Sequence, residues 1–186
     1  MIDETLQILK QPEYLHTLLN PIPIYGLALG ALGLVVALLL RSRSAQIATL
    51  AIILVSSGMA FPVYLLGQEA EDRIEGIVDD GGKEWLEEHE ERAEKVVAAF
   101  YVLAFLALAA LLVPLKWPPS STWLSLAVLG LSLVTLGLGG YIAQAGGKIR
   151  HREFRTGIAP AENGENEDHS RQRGRGRGRG EREPGG

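Results

Sequence analysis

Four runs of about 20 residues carry no charge at all: 21–40, 45–66, 96–115 and 123–145. A helix that crosses the ~30 Å hydrocarbon core needs roughly 20 apolar residues, and each run supplies them. A core helix of a water-soluble protein would show polar residues on one face at a 3.6-residue period. These runs are apolar all round. Lipid offers no partner to backbone N–H and C=O groups, so each run must satisfy its own and be helical. The fold class that follows is all-α: a four-helix transmembrane bundle in a lipid bilayer. Pro62 removes one backbone donor inside the second run and predicts a kink there. Pro114 ends the third run. Trp117 and Trp123 bracket a short turn, as aromatic rings do at a membrane–water boundary.

Four crossings put three segments on one side, here called face A: residues 1–20, the loop 67–95 and everything after the fourth span. Face B keeps two short turns. The domain plan is therefore an N-terminal extramembrane segment (1–20), a four-span membrane domain (21–155) and a tail (156–186). The tail is poor in apolar residues and predicts disorder. Its six arginines from Arg171 to Arg182 are matched by six acids between Glu162 and Glu183, so the Arg–Gly repeat is not a net polycation. A solubilising tail with no nucleic-acid partner is the expectation.

The loop 67–95 holds 12 Asp and Glu against 4 Lys and Arg. Ala70, Ile74, Ile77 and Val78 keep helical spacing after span two, and Trp85, Leu86, His89 and Ala93 keep it before span three. Spans two and three should run on as an extramembrane hairpin, turning at Asp79-Asp80-Gly81-Gly82, where glycine tolerates positive φ. His89 would lie in its seam, opposite Glu71 to Arg73. The acids would form a wet surface able to meet a partner protein or a cation, with Arg92 and Lys95 pairing to Glu88 and Glu91 at i, i+4. After span four, Gly146 and Gly147 should end the helix.

Gly26, Gly30 and Gly33 give helix one a small-residue side. The GxxxG pair lets two helices approach closely, either inside the bundle, the simpler use, or between copies of a homo-oligomer.

Catalytic motifs are absent. The chain has no cysteine, which removes thiolate metal sites and cysteine nucleophiles. No phosphate loop, Ser-x2-Lys or zinc-protease motif appears, so a non-enzymatic protein is expected. No span carries an acid or base for a proton relay. A small-molecule transporter would have Ser56, Ser57, Tyr64 and Tyr101 as its polar path. Four histidines remain: His16, His89, His151 and His169. His89 has no helical ligand partner at His-x3-His or Glu-x2-His spacing, because Ala93 and Leu86 stand at those positions. A haem or metal site would have to be assembled from separate segments, with His89 and His151 as cofactor and metal ligands. The others default to packing or hydrogen bonding at the membrane surface.

Two stretches carry a resemblance: Gly67 to Glu75 (GQEAEDRIE), followed by Glu88-His89-Glu90-Glu91-Arg92-Ala93, and Gly146-Gly147 with Ile149-Arg150-His151-x-Glu153. With Asn20-Pro21 before span one, they resemble a bacterial membrane-protein family catalogued as domain of unknown function 2231. That resemblance implies four spans in a bacterial inner membrane. Histidines at the membrane edge in that family suggest haem or a metal. Asn20 and Gln144 stand where the family often has histidine, so only His89 and His151 match. For orientation, Arg41 and Arg43 after span one favour face A outside the cytoplasm, and the basic run 148–155 favours the reverse; the first span and the acidic loop tip the reading toward outside.

The chain should stay in the membrane pellet after alkaline carbonate washing. Labels at Asp3 and at Arg155 should react from the same side of sealed vesicles; reaction from opposite sides would remove the four-span topology.

Overall fold

The structure, a computed structural model, describes residues 7–155; the tail 156–186, expected to be disordered, lies outside these. Among the described residues the chain is helical, without strands. Its helices are α1 (Pro12–Leu19), α2 (Leu27–Leu39), α3 (Arg43–Gly58), α4 (Ala60–Glu75), α5 (Asp80–Leu112) and α6 (Ser120–Arg150). They combine into four helices long and apolar enough to cross a membrane, Pro12–Leu39, Arg43–Glu75, Asp80–Leu115 and Ser120–Arg150. The chain is an integral membrane protein.

Prolines set the joints. Pro21 and Pro23 cannot donate to the preceding turn, and the helix passes them through one wide π turn, Ile22–Gly26. The helix that contains span one begins ahead of residue 21, and its first part, α1, docks on α4. Pro62 interrupts span two one turn upstream, at Met59, between α3 and α4, as its missing donor requires. Pro114 sits in the 3-10 turn Val113–Leu115 that closes span three. Trp117 and Trp123 are 65% and 75% exposed, free to meet the lipid boundary.

Each span packs on its two neighbours in chain order, and span four closes the ring on span one; diagonal pairs scarcely touch. Glycines allow the closest approach. A Cβ at Gly30 would lie 2.7 Å from Ile53 Cγ1, and one at Gly33 would lie 2.7 Å from Thr49 Cγ2; Gly26 abuts Ser56. The glycine side of helix one is thus used inside the chain.

The bundle repeats internally. Leu27, Gly30, Leu34 and Ala37 are buried in span one. At one constant offset, Phe100, Leu103, Ala107 and Ala110 are buried in span three. Gln46, Ile53, Ser56 and Ala60 of span two correspond in the same way to Ser125, Ser132, Thr135 and Gly139 of span four. Each half is one helical hairpin. Both halves cross in the same sense, so the axis relating them runs along the membrane normal. Two equivalent residues meet near that axis, the Ser125 hydroxyl lying 3.4 Å from Gln46 Oε1.

The extramembrane hairpin exists, with two changes. Its turn falls at 76–79, and Gly81 and Gly82 are helical residues of α5. Their lack of a side chain serves close approach rather than positive φ: a Cβ on Gly82 would lie 2.8 Å from the Ile149 carbonyl oxygen. Ile77, expected in the seam, is 67% exposed, because it lies in the turn beyond the end of α4. The i, i+4 pairs Arg92–Glu88 (2.7 Å) and Lys95–Glu91 (2.5 Å) form as expected.

Gly30→Val should destabilise the protein by about 1–3 kcal/mol through overpacking against Ile53. Gly137→Ala, at a position with nothing within 4 Å, should be neutral or stabilising by up to about 1 kcal/mol through helix propensity. Thermal unfolding in one detergent, followed by circular dichroism, reads both.

Candidate metal centre

The face-A end of the bundle contains a cleft on the pseudo-axis. One half supplies His16, Asn20, Ile24, Ala60, Val63 and Tyr64, and the other supplies His89, Ala93, Val97, Gly139, Ile142 and Ala143. These are equivalent positions in the two repeats, pair by pair; Pro23 and Phe100 also line the cleft, without an equivalent there. The cleft holds ≈ 70 Å³ of void, and its unfilled space, counting the part continuous with the outside, is ≈ 550 Å³. That void has room for a few waters or one ion.

His16 reaches across its own hairpin, its Nδ1 lying 2.9 Å from the Val63 carbonyl oxygen. His89 does the same in the second hairpin, with Nδ1 3.0 Å from the Ile142 carbonyl oxygen. A carbonyl only accepts, so Nδ1 carries the proton in both rings and donates it. Nε2 is left as the lone-pair nitrogen of each.

One turn beyond each accepting carbonyl stands a glycine. A Cβ on Gly67 would meet His16 Cε1 at 3.0 Å, and one on Gly146 would meet His89 Cε1 at 3.0 Å. The far ring atom, Nε2, lies 3.9 Å and 3.8 Å from those same points. The rings are therefore seated alike, with the Nδ1 edge on the glycine and the Nε2 edge away from it. Gly146 is not a helix terminator as expected, since α6 continues to Arg150. It is the seat for His89.

The expected pairing of His89 with His151 does not occur. His151 is 56% exposed, bonds Glu153 Oε1 through its own Nδ1 at 2.8 Å and stacks on Phe154. It follows the end of α6 and faces outward. His89 also lies outside the α4–α5 seam, because its ring turns to α6. His16, read from the sequence as a packing residue of an N-terminal segment, is the residue that the fold brings to the cleft with His89.

A neutral imidazole held through Nδ1–H by a carbonyl is the usual preparation of a metal-ligating histidine: the bond fixes the tautomer and aims Nε2. The two rings of this cleft meet that requirement. Among the described residues no group of three His, Cys, Asp or Glu converges to hold a metal ion. The chain offers two nitrogen ligands, and any further ligand has to come from elsewhere.

Two surrounding contacts hold α5 against α6. Arg92 bonds the Tyr141 carbonyl at 2.8 Å, and its guanidinium lies 3.9 Å from the Tyr141 ring centroid. Beyond it, Arg155 closes the end of the bundle with a guanidinium that is only 5% exposed. Its Nε donates to Lys148 O at 2.7 Å, its Nη2 to Ile149 O at 2.5 Å and its Nη1 to both Asp79 carboxylate oxygens at 2.9 Å. Arg155 thus satisfies carbonyls left open at the end of α6. Asp79 caps the start of α5 by accepting from Gly82 N–H at 3.0 Å. One ion pair therefore joins the last helix to the helix that carries His89. The Arg155 hydrogen bond is the largest influence holding the Asp79 carboxyl below its ordinary range, with the Gly82 N–H and Arg152 acting in the same direction.

Several acids of the outer hairpin are exposed and paired locally, as Lys83–Glu75 and Lys95–Glu91 show, whereas Glu71 and Glu90 are half-buried against each other, and burial with the neighbouring Glu71 carboxyl holds Glu90 above its ordinary range. Of the four polar residues considered for a transport path, Ser56 and Ser57 are buried, and Tyr64 lines the cleft. Tyr101 packs edge-on to Phe61 outside the cleft.

No protein-family model, curated protein or solved structure matches the chain.

A carboxyl whose folded pKa is depressed adds stability that is present above its unfolded value, about 3.9, and is lost as pH falls through the folded value. Thermal midpoints taken from about pH 6 to about pH 3 should therefore decline more steeply for the natural protein than for Asp79→Asn. Equal slopes would show that the Asp79–Arg155 link does not contribute.

Proposed function

We propose that the protein is a redox-linked membrane metalloprotein, in which His16 and His89 hold one transition-metal centre, haem or a metal ion, near face A. The observation that carries this reading is the repeated seating of the two rings: Nδ1–H on a helical carbonyl, a glycine under the ring, and both imidazoles on one cleft. Packing alone requires none of these features twice. Neutral imidazole suits iron and copper, and the cleft is lined mostly by apolar side chains. The residues do the holding, orienting and shielding; the metal would supply the electron chemistry. Of the short motifs that resemble the bacterial family, Gly67, His89 and Gly146 fall at this site. The natural setting we propose is a bacterial inner membrane with face A outside the cytoplasm. The reading involves no catalytic residue, and a binding role for the acidic hairpin is not needed for it.

Protein purified in mild detergent from cells supplied with iron, copper and a haem precursor should carry about one metal centre per chain by elemental analysis and visible absorption. His16→Ala and His89→Ala should each remove most of it, His151→Ala should leave it, and Gly146→Val should weaken it by about 10–100-fold by displacing the ring. A metal-free, colourless preparation, or full occupancy in the His16 and His89 variants, would overturn the proposal.

A further inference from the structure

All 22 Asp and Glu of the chain fall in the segments of face A: residues 1–20, the loop 67–95 and the part after span four. The two turns of face B hold three charged side chains, Arg41, Arg43 and Lys116, and no acid. We infer that face B is a docking surface for anionic phospholipid, with Arg41 and Lys116 at the headgroup phosphate and the leucines beside them against the acyl chains. This inference is independent of the metal centre.

Charge balance is the first argument. On face A, Arg73, Lys83, Arg92, Lys95, Arg152 and Arg155 each pair with an acid. Among the described residues no cation of face B does. Arg43 is used by the fold itself: Nη2 donates to the Ala110 carbonyl at 3.2 Å and Nη1 to Gln46 Oε1 at 3.4 Å. Those bonds hold the first turn against the end of span three, the helix that Lys116 follows. Arg41 and Lys116 are exposed, and their charges remain for a partner outside the chain.

The backbone at Arg41 is the second. Span one ends in a Schellman turn, in which Ser42 N–H donates to Ala37 O at 3.0 Å and Arg41 N–H to Leu38 O at 3.1 Å. Arg41 occupies the position that glycine usually takes in that turn, with a φ of 51°. It is the one non-glycine residue with positive φ among the described residues. A Cβ is disfavoured there, and glycine would hold the same turn with less strain. The turn gains nothing from arginine; what arginine adds is a charge at the bilayer boundary.

The neighbours of the two cations are the third. Leu40 precedes Arg41 and Leu115 precedes Lys116, and these leucines are 70% and 77% exposed. Each turn thus sets an apolar side chain next to a positive charge at the surface. That pairing matches an amphiphile, whose acyl chain adjoins its phosphate; a free phosphate would need the cations alone. The exposed rings of Trp117 and Trp123 belong at the same boundary level, where each Lys or Arg adds attraction to an anionic leaflet.

The test uses full-length protein in nanodiscs of equal phosphatidylglycerol and phosphatidylcholine, with the lipids retained after release counted by native mass spectrometry. Phosphatidylglycerol should be retained over phosphatidylcholine by at least about fivefold, and the preference should fall to near parity in the Arg41→Gly/Lys116→Gln double variant. Arg41→Gly alone should weaken the preference while its thermal midpoint in lipid-free detergent stays equal to that of the natural protein or rises, because glycine relieves the turn. Equal retention of the two lipids by the natural protein would overturn the inference, as would a preference unchanged in the double variant. A preference lost in Arg150→Gln but kept in the double variant would move the lipid to face A, and displacement of phosphatidylglycerol by added inorganic phosphate would make the site one for a free anion; either would overturn the docking surface. A lowered midpoint for Arg41→Gly would assign that arginine to the fold and overturn its lipid role.

Discussion

Every backbone carbonyl inside lipid must find its donor within the protein, and a helical carbonyl that has one still keeps a second lone pair. The cleft depends on that spare capacity. Val63 and Ile142 lie inside regular helices, and each also accepts from a histidine Nδ1–H. Reaching that lone pair brings the Nδ1–Cε1 edge of the ring against the helix one turn on, and glycine leaves the space, at Gly67 and Gly146. The same requirement fixes the ring's tautomer and the direction of Nε2. A constraint that begins as a rule for crossing a membrane thus ends by fixing the tautomer and seat of a histidine ring. It does so twice because the bundle consists of two equivalent hairpins.

The bundle holds these hairpins together with little help from the hydrophobic effect, which hardly distinguishes a neighbouring helix from a lipid tail. Close contact replaces it. Gly26, Gly30 and Gly33 bring helix one onto span two, and small residues on the pseudo-axis let the two halves face each other. Buried hydroxyls at Ser57 and Thr135 have no partner among the described residues. They lie on spans two and four, on the same inner faces that carry Ala60 and Gly139 at the cleft. Outside the lipid, ordinary electrostatics return: Asp79 and Arg155 join a helix start to a helix end through a bidentate ion pair. Both partners are ionised, so these hydrogen bonds are charge-assisted, and the remaining guanidinium donors Nε and Nη2 are satisfied by Lys148 O and Ile149 O.

The spans were legible because the apolar runs have to be long and uncharged to cross, and the kink at Pro62 followed from one missing donor. The i, i+4 pairs followed from helix geometry. The site was only half legible. His89 stood out, but its partner was sought at His151, the next histidine on the same face. The histidine that the fold brings to the cleft with it, His16, lies in a mixed segment before Pro21, which composition assigned to the N-terminal segment. The chain passes those prolines by a π turn, an option that apolar counting does not reveal. Gly146 and Gly147 looked like a helix stop because paired glycines often are one; a glycine that admits a ring from another helix has the same letter. The repeat escaped notice because equivalent residues share burial rather than identity: Leu27 with Phe100, Gln46 with Ser125.

That last point bears on how the centre would have become asymmetric around a symmetric core. Within each cleft half the histidine and its glycine are retained, and their neighbours diverge. Asn20 faces Ala93 across the axis, and Tyr64 faces Ala143. The polar members fall in the first half of the chain, and the Arg92–Tyr141 and Asp79–Arg155 contacts involve the second. The two equivalent histidines therefore have a polar wall on one side and a braced wall on the other. Were a metal held by these histidines, such surrounding differences would orient its ligands and tune it. The half with Asn20 and Tyr64 is the one able to exchange hydrogen bonds with the occupant of the cleft. The half with Arg92 and Arg155 holds its helix pair in register, so that the ring on Gly146 stays where the first half requires it.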